Sequence, residues 1–181
     1  MVLPIYVYGS PVLRKVSREV EKDEEGLEEF MKNLWETMYH SDGIGLAAPQ
    51  VGKNIRIFVI DGTPMEEDDP SLNDFKKAFI NPKILERKGD EKIYEEGCLS
   101  IPNIREQIVR PEKVHIQYYD QEFNYHDEEY EGIAARIIQH EFDHLNGILF
   151  TDLAAPLKKR MLKNKLNAIA RGKFNVKYKV K

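Results

Sequence analysis

Gln139-His140-Glu141-Phe142-Asp143-His144 decides how the rest of this chain is read. Histidines four residues apart share one helix face, with Cβ atoms about 5–6 Å apart. Both imidazoles can then reach one ion at roughly 2.0–2.1 Å. Glu141 points to the side, beside such an ion rather than onto it, where a general base for an activated water belongs. Ile133, Ile137, Ile138 and Phe142 supply an apolar side, and Asn146-Gly147 a C-terminal stop, so the spacing predicts a helix over 129–145.

A catalytic ion needs a third ligand, and nothing after His144 qualifies. Asp152 is the only acidic residue there, and no Glu, His or Cys follows. Gly147 stands where a metzincin would have it, but Phe150 occupies the place of that pattern's third histidine. The ligand must come from upstream, and the single cysteine, Cys98, is the best candidate. It sits in Glu96-Gly97-Cys98-Leu99-Ser100, where glycine permits close backbone approach. One thiolate and two imidazoles leave a position open for water or substrate, which is the catalytic rather than the closed structural arrangement. Tetrahedral Cys-His-His suits zinc, and imidazole also serves iron and nickel.

Working outward from the metal helix, Leu27, Phe30, Met31, Leu34, Trp35 and Met38 recur at three-and-four spacing. They predict a core helix over 24–39, ended by Ser41-Asp42-Gly43. Arg56-Ile57-Phe58-Val59-Ile60 reads as a buried strand. The acidic, proline-interrupted stretch 61–74 reads as an exposed loop with no chemistry assigned to it. Short strands are expected at 78–80, 83–86, 92–95 and 104–109, with a hairpin of 113–119 and 122–125 about Asp120-Gln121. A last helix should run over 155–170 from Pro156, followed by a short tail strand in which Phe174, Val176, Tyr178 and Val180 alternate with polar residues. The order of elements argues an α+β fold: antiparallel strands arranged around a central metal-binding helix, with an N-terminal helix and a C-terminal helix.

Composition narrows the class. The chain of 181 residues is sized for one domain, and one cysteine rules out an internal disulfide framework and fits a reducing compartment. The first residues lack the features of a signal peptide, and no apolar run approaches the ~20 residues of a membrane span. These readings point to the cytoplasm and away from membranes. Charge is unevenly spread: ten of the 27 Lys and Arg fall within 158–181, where no Asp or Glu occurs, leaving 17 basic against all 31 acidic residues in the remainder. Such an end is either a solvated helix face or a surface that docks a polyanion by weak, salt-sensitive attraction.

Three motifs in order give the chain a resemblance to peptide deformylases: Gly43-Ile44-Gly45-Leu46-Ala47-Ala48-Pro49-Gln50, Glu96-Gly97-Cys98-Leu99-Ser100, and Gln139-His140-Glu141-Phe142-Asp143-His144-Leu145. The resemblance spans roughly 3–160 and implies an enzyme of protein biosynthesis and N-terminal processing. Such an enzyme hydrolyses the formyl group from the N-terminal formylmethionine of nascent polypeptides. It implies that Cys98, His140 and His144 are the metal ligands, and that metal-bound hydroxide attacks the formyl carbon with Glu141 as general base and then acid. Gln50 matches the side-chain donor to the formyl oxygen, and the backbone N–H of Leu99 its partner. Gly43, Gly45 and Gly97 match positions beside the substrate; Ile44, Tyr94, Ile133 and Ile137 fall where the methionine pocket is lined; Arg105 matches a basic residue near the substrate's outer end. By the same resemblance one divalent ion is needed, ferrous iron in the cell, with zinc or nickel accepted by purified protein. A thiolate at that ion is open to oxidation.

Residues 1–157 are thus expected to form the catalytic unit, and 158–181 a basic helix and tail of the same domain, which resembles in charge the extension by which some deformylases dock on the ribosome; no specific DNA recognition is expected. Asp143 is expected to orient a ligand or to pair with an arginine such as Arg110. Two other readings compete: a metallo-endopeptidase using the same helix, and an RNA- or ribosome-binding module in which the metal is structural.

Overall fold

The computed structural model describes all 181 residues. One helix, five consecutive strands and two further helices follow along the chain: α1 (Leu27–His40), β1 (Gly45–Ala47), β2 (Ile57–Asp61), β3 (Lys76–Cys98), β4 (Ile101–Tyr119), β5 (Tyr125–Glu131), α2 (Gly132–His144) and α3 (Pro156–Ala170). The strands form one antiparallel sheet in the order β1-β2-β3-β4-β5.

The two-residue period of β2 explains the layering. Ile57 and Val59 point to one face, where they pack with Phe30, Met31, Leu34 and Met38 of α1. Phe58 and Ile60 point to the other, where they meet Ala134, Ala135, Ile137 and Ile138 of α2, together with Phe79 and Tyr118. Both faces are covered, so the strand reads as a continuous apolar run. A third cluster holds α3, whose Leu162, Leu166 and Ile169 dock on Ile101, Ile104 and Ile108 of β4. The α+β architecture around a central helix is as expected from the sequence.

Several element boundaries differ from expectation. The short strands expected between 78 and 95 are one strand of 23 residues, and those at 104–109 and 113–119 are one of 19. Pro82, Gly89 and Pro111 suggest breaks, yet the ladder absorbs the first two as register shifts, between Ile80 and Lys83 and between Lys88 and Glu91. The region 125–131, expected partly as a hairpin arm and partly as the start of the metal helix, is wholly strand β5. Glutamates favour helix there by propensity, but the Tyr130 ring packs against Phe75 and Phe79, and pairing with β4 decides the outcome. The helix begins instead at Gly132, whose φ of +64° few side chains adopt. The tail forms no strand, only a single parallel bridge between Val180 and Ile5. Within the 61–74 loop Leu72 is fully buried, so that segment is anchored rather than wholly exposed.

Candidate metal centre

Cys98 is the last residue of β3, and Leu99-Ser100 is the two-residue turn into β4. That hairpin end lies over α2, where His140 and His144 sit one turn apart, edge to face, with ring centroids 5.2 Å from each other. Sγ of Cys98 is 3.4 Å from Nε2 of His144, and one donor atom from each of the three residues lies within 4.8 Å of the others. A sulfur and two imidazole nitrogens converging from two elements fit a divalent first-row ion such as zinc, ferrous iron or nickel. Asp152, the only acid downstream, is tied to Arg14 instead.

The surroundings fix how those donors point. Nδ1 of His140 is 2.8 Å from Oε1 of Glu96, which leaves Nε2 to face the thiol side. Glu96 is itself buried and accepts from Nε and Nη2 of Arg110 at 2.7 and 3.0 Å and from Nη1 of Arg136 at 2.9 Å. Arg110 continues to Oδ2 of Asp143 at 2.7 Å, and Arg87 reaches the other oxygen at 2.9 Å. The expected pairing of Asp143 with Arg110 is therefore present. Burial works to raise the Glu96 carboxyl, but the hydrogen bonds from His140 and Arg110 outweigh it and hold the group well below the ordinary carboxylate range.

Glu141 is buried on the same helix, and its Oε2 has no hydrogen-bond partner. From the protein's own groups, burial pushes this carboxyl up to about 7. It packs so tightly on β1 that a Cβ added to Gly45 would stand 2.6 Å from Oε1, so a side chain there would push the Glu141 carboxylate aside. Gln50 lies on the short turn Ala48–Val51. Its Oε1 accepts from the Ala47 N–H at 2.9 Å, which turns Nε2 toward Ser100 Oγ at 3.1 Å and Cys98 Sγ at 3.5 Å.

These groups open into a cleft of about 530 Å³ between β1 and the end of β3. Gly43, Ile44, Gly45, Gln50, Tyr94, Gly97, Cys98, Leu99, Arg105, Ile133, Ile137, His140 and Glu141 all line it, while His144 is buried behind. Tyr94 stands at the mouth with the Arg136 guanidinium 5.8 Å from its ring centre, and Arg105 is tied there to Glu95 at 2.8 Å. A roomier groove of about 1610 Å³ lies between α1 and the turn after β4, but it gathers no donor set comparable to Cys98, His140 and His144.

Other lining residues, among them Arg136, Met65, Val176 and Tyr178, had no role in the site as read from the sequence. Arg136 could have been found, being four residues before His140 on one helix face. Met65, from the loop to which no chemistry was assigned, and Val176 and Tyr178, from the tail, carry no local signal.

An antiparallel sheet folded about a His-Glu-x-x-His helix, with a thiol completing three donors beside a buried free carboxyl, defines a metal-dependent amide hydrolase. The family model for polypeptide deformylase matches residues 2–160. A peptide deformylase of Christiangramia forsetii is 49% identical over 100% of this chain and 96% of its own length. Among solved structures, a Plasmodium falciparum peptide deformylase superposes with a TM-score of 0.83 at 39% identity, covering 93% of this chain and 95% of that one. One from Thermotoga maritima gives 0.77 at 44% identity, over 86% and 99%. The chain belongs to the polypeptide deformylase family, metal-dependent hydrolases that remove the formyl group from nascent peptides. No helix is long and apolar enough to cross a membrane.

Proposed function

We propose that Cys98, His140 and His144 hold one divalent ion and that Glu141 carries the proton traffic of formyl hydrolysis on N-formylmethionyl peptides in the cytoplasm. The observation that supports this most is the unpartnered Glu141 carboxyl, wedged against Gly45 in the cleft where Cys98 and Gln50 converge. An ion held by Cys98, His140 and His144 would supply the Lewis acidity that activates water at neutral pH and polarises the formyl group. Glu141 takes the proton from the attacking water and hands it to the leaving nitrogen, so that the C–N bond breaks to give formate and a free amino terminus. Gln50 Nε2 and the Leu99 N–H donate to the former carbonyl oxygen as charge builds there, about 2.7–4 kcal/mol for one such donor.

Gly43 and Gly45 on one side and Gly97 on the other flank the peptide as an added strand, since side chains there would narrow the passage. Ile44, Tyr94, Ile133 and Ile137, joined by Met65, hold the methionine side chain, and Arg105 meets the outer part of the peptide. In the cell the ion is ferrous iron; the same donors accept zinc or nickel in purified protein.

The test is an anaerobic assay of the iron- or nickel-loaded enzyme on formyl-Met-Ala and acetyl-Met-Ala. Formate release from the first with no turnover of the second is expected, because an acetyl methyl would occupy the space of the formyl hydrogen. Cleavage of blocked peptides at internal bonds would instead favour an endopeptidase.

Residues 1–157 act as the catalytic unit in this reading, with 158–181 as its docking element. On α3 the exposed Leu157 and Met161 lie among Lys158, Lys159 and Arg160, an apolar and basic surface suited to a ribosome. Reversing Lys159, Arg160 and Lys163 to glutamate should abolish co-sedimentation with ribosomes at low salt and leave turnover of free peptide unchanged. Undiminished co-sedimentation would remove the docking role.

A further inference from the structure

The turn that carries Leu99 is not held by its own geometry. Tight two-residue hairpin turns favour positive φ, yet neither Leu99 nor Ser100 adopts it, and the ladder shifts register between Gly97 and Cys98 just before the turn. Support comes from both ends of the chain. The Tyr6 N–H donates to the Gln50 carbonyl at 2.7 Å and the Tyr8 N–H to the Ser100 carbonyl at 2.8 Å, so the N-terminal segment ties the Gln50 turn to the hairpin end. The tail closes over this segment: Ile5 donates to the Lys179 carbonyl and Lys181 to the Ile5 carbonyl, both at 2.9 Å. That placement delivers the Tyr178 hydroxyl to the Leu99 carbonyl, to which it donates at 2.7 Å across 79 residues of sequence. Tyr178 and Val176 also form part of the cleft wall.

We propose that Tyr178 is a positioning residue for deformylation: its hydroxyl fixes Leu99 from the carbonyl side and so aims the Leu99 N–H at the oxygen that becomes charged. This rests on the reading of Leu99 and Gln50 as the oxygen's two donors. Leu99 has one Cα between the carbonyl that Tyr178 holds and the N–H that acts, so freedom at the first becomes misdirection at the second. Donors that act in the transition state must be aimed before charge develops, and an aim that depends on a distant tail is lost without any change in the metal ligands. The C-terminal residues thereby take part in the chemistry as well as in docking.

Tyr178→Phe keeps the ring and removes the hydroxyl, and it is compared with wild type and Gln50→Ala as nickel-loaded full-length enzymes. The expected result is a fall in kcat of about tenfold, the scale of one hydrogen bond, with KM for formyl-Met-Ala within about twofold. Nickel stoichiometry and Tm should match wild type. A wild-type kcat for Tyr178→Phe while Gln50→Ala is slow would overturn the brace and leave the donor reading standing. Wild-type kcat in both would overturn the donor reading and the brace with it. A loss confined to KM, or one that follows a drop in Tm or nickel content, would reduce Tyr178 to a structural residue and also sink the proposal.

Discussion

Glu141→Gln should lower formate release by about 10²–10⁴-fold while leaving the fold and metal content unchanged. Glutamine matches the shape of glutamate, so the packing against Gly45, where Oε1 already limits the space, is preserved. The change removes the ability to accept a proton from water and return it to the amine. Glu141 is not one of the three converging donors, whose atoms come from Cys98, His140 and His144, so an ion should be retained at full stoichiometry. Turnover of formyl-Met-Ala under anaerobic conditions, with metal content measured on the same sample, separates the two effects. Activity equal to wild type would end the role given to Glu141, and loss of metal along with activity would leave that role without support.

The sequence disclosed the site more fully than the sheet that carries it. The four-residue spacing of His140 and His144 is itself a statement about geometry, because a helix converts it into a shared face. Cys98 could be reached because nothing after His144 qualifies as a third ligand and the chain has a single cysteine, set in a glycine-bearing motif upstream. Strand continuity was harder to read. Proline and glycine mark turns and bulges alike, and only the partner strand tells them apart; Gly89, at φ +83°, sits at a register shift inside β3. The strand β5 was hidden because its neighbours, not its own glutamates, make it a strand. Tyr178 could not be seen at all: its partner lies 79 residues away and is a backbone carbonyl, which no residue type advertises.

Long strands also explain why the donors meet. β3 begins in the core beside β2 and ends at Cys98 above α2, so one element connects the packed centre of the sheet to the thiol. A change in the core register would carry the thiol with it. The Arg110 and Glu96 pair ties β4 to the same end of β3, and Asp143 and His140 tie both to α2. Three elements are thus locked together by ionic groups at the one place where apolar packing gives way to the cleft.

Glu96→Gln tests that lock, and its expected cost falls on stability as well as on the metal. Four donor groups converge on the two carboxylate oxygens: Nε and Nη2 of Arg110, Nη1 of Arg136 and Nδ1 of His140. A glutamine offers one oxygen, and its NH₂ would face donors with nothing to accept. Arg110 has a side chain only 1% exposed and would keep Asp143 alone as its acid partner. Removing one member of a buried ionic group typically costs about 3–5 kcal/mol, because the remaining charge stays out of water. For a domain of this size that corresponds to a Tm lower by roughly 6–20 °C. His140 would lose the bond that orients its ring, and affinity for nickel should fall about 10–100-fold. Thermal unfolding and a competitive nickel titration measure the two consequences independently. A variant with wild-type Tm and wild-type nickel affinity would show that the carboxylate neither holds the three elements together nor aims the imidazole, and the ionic lock would have to be abandoned.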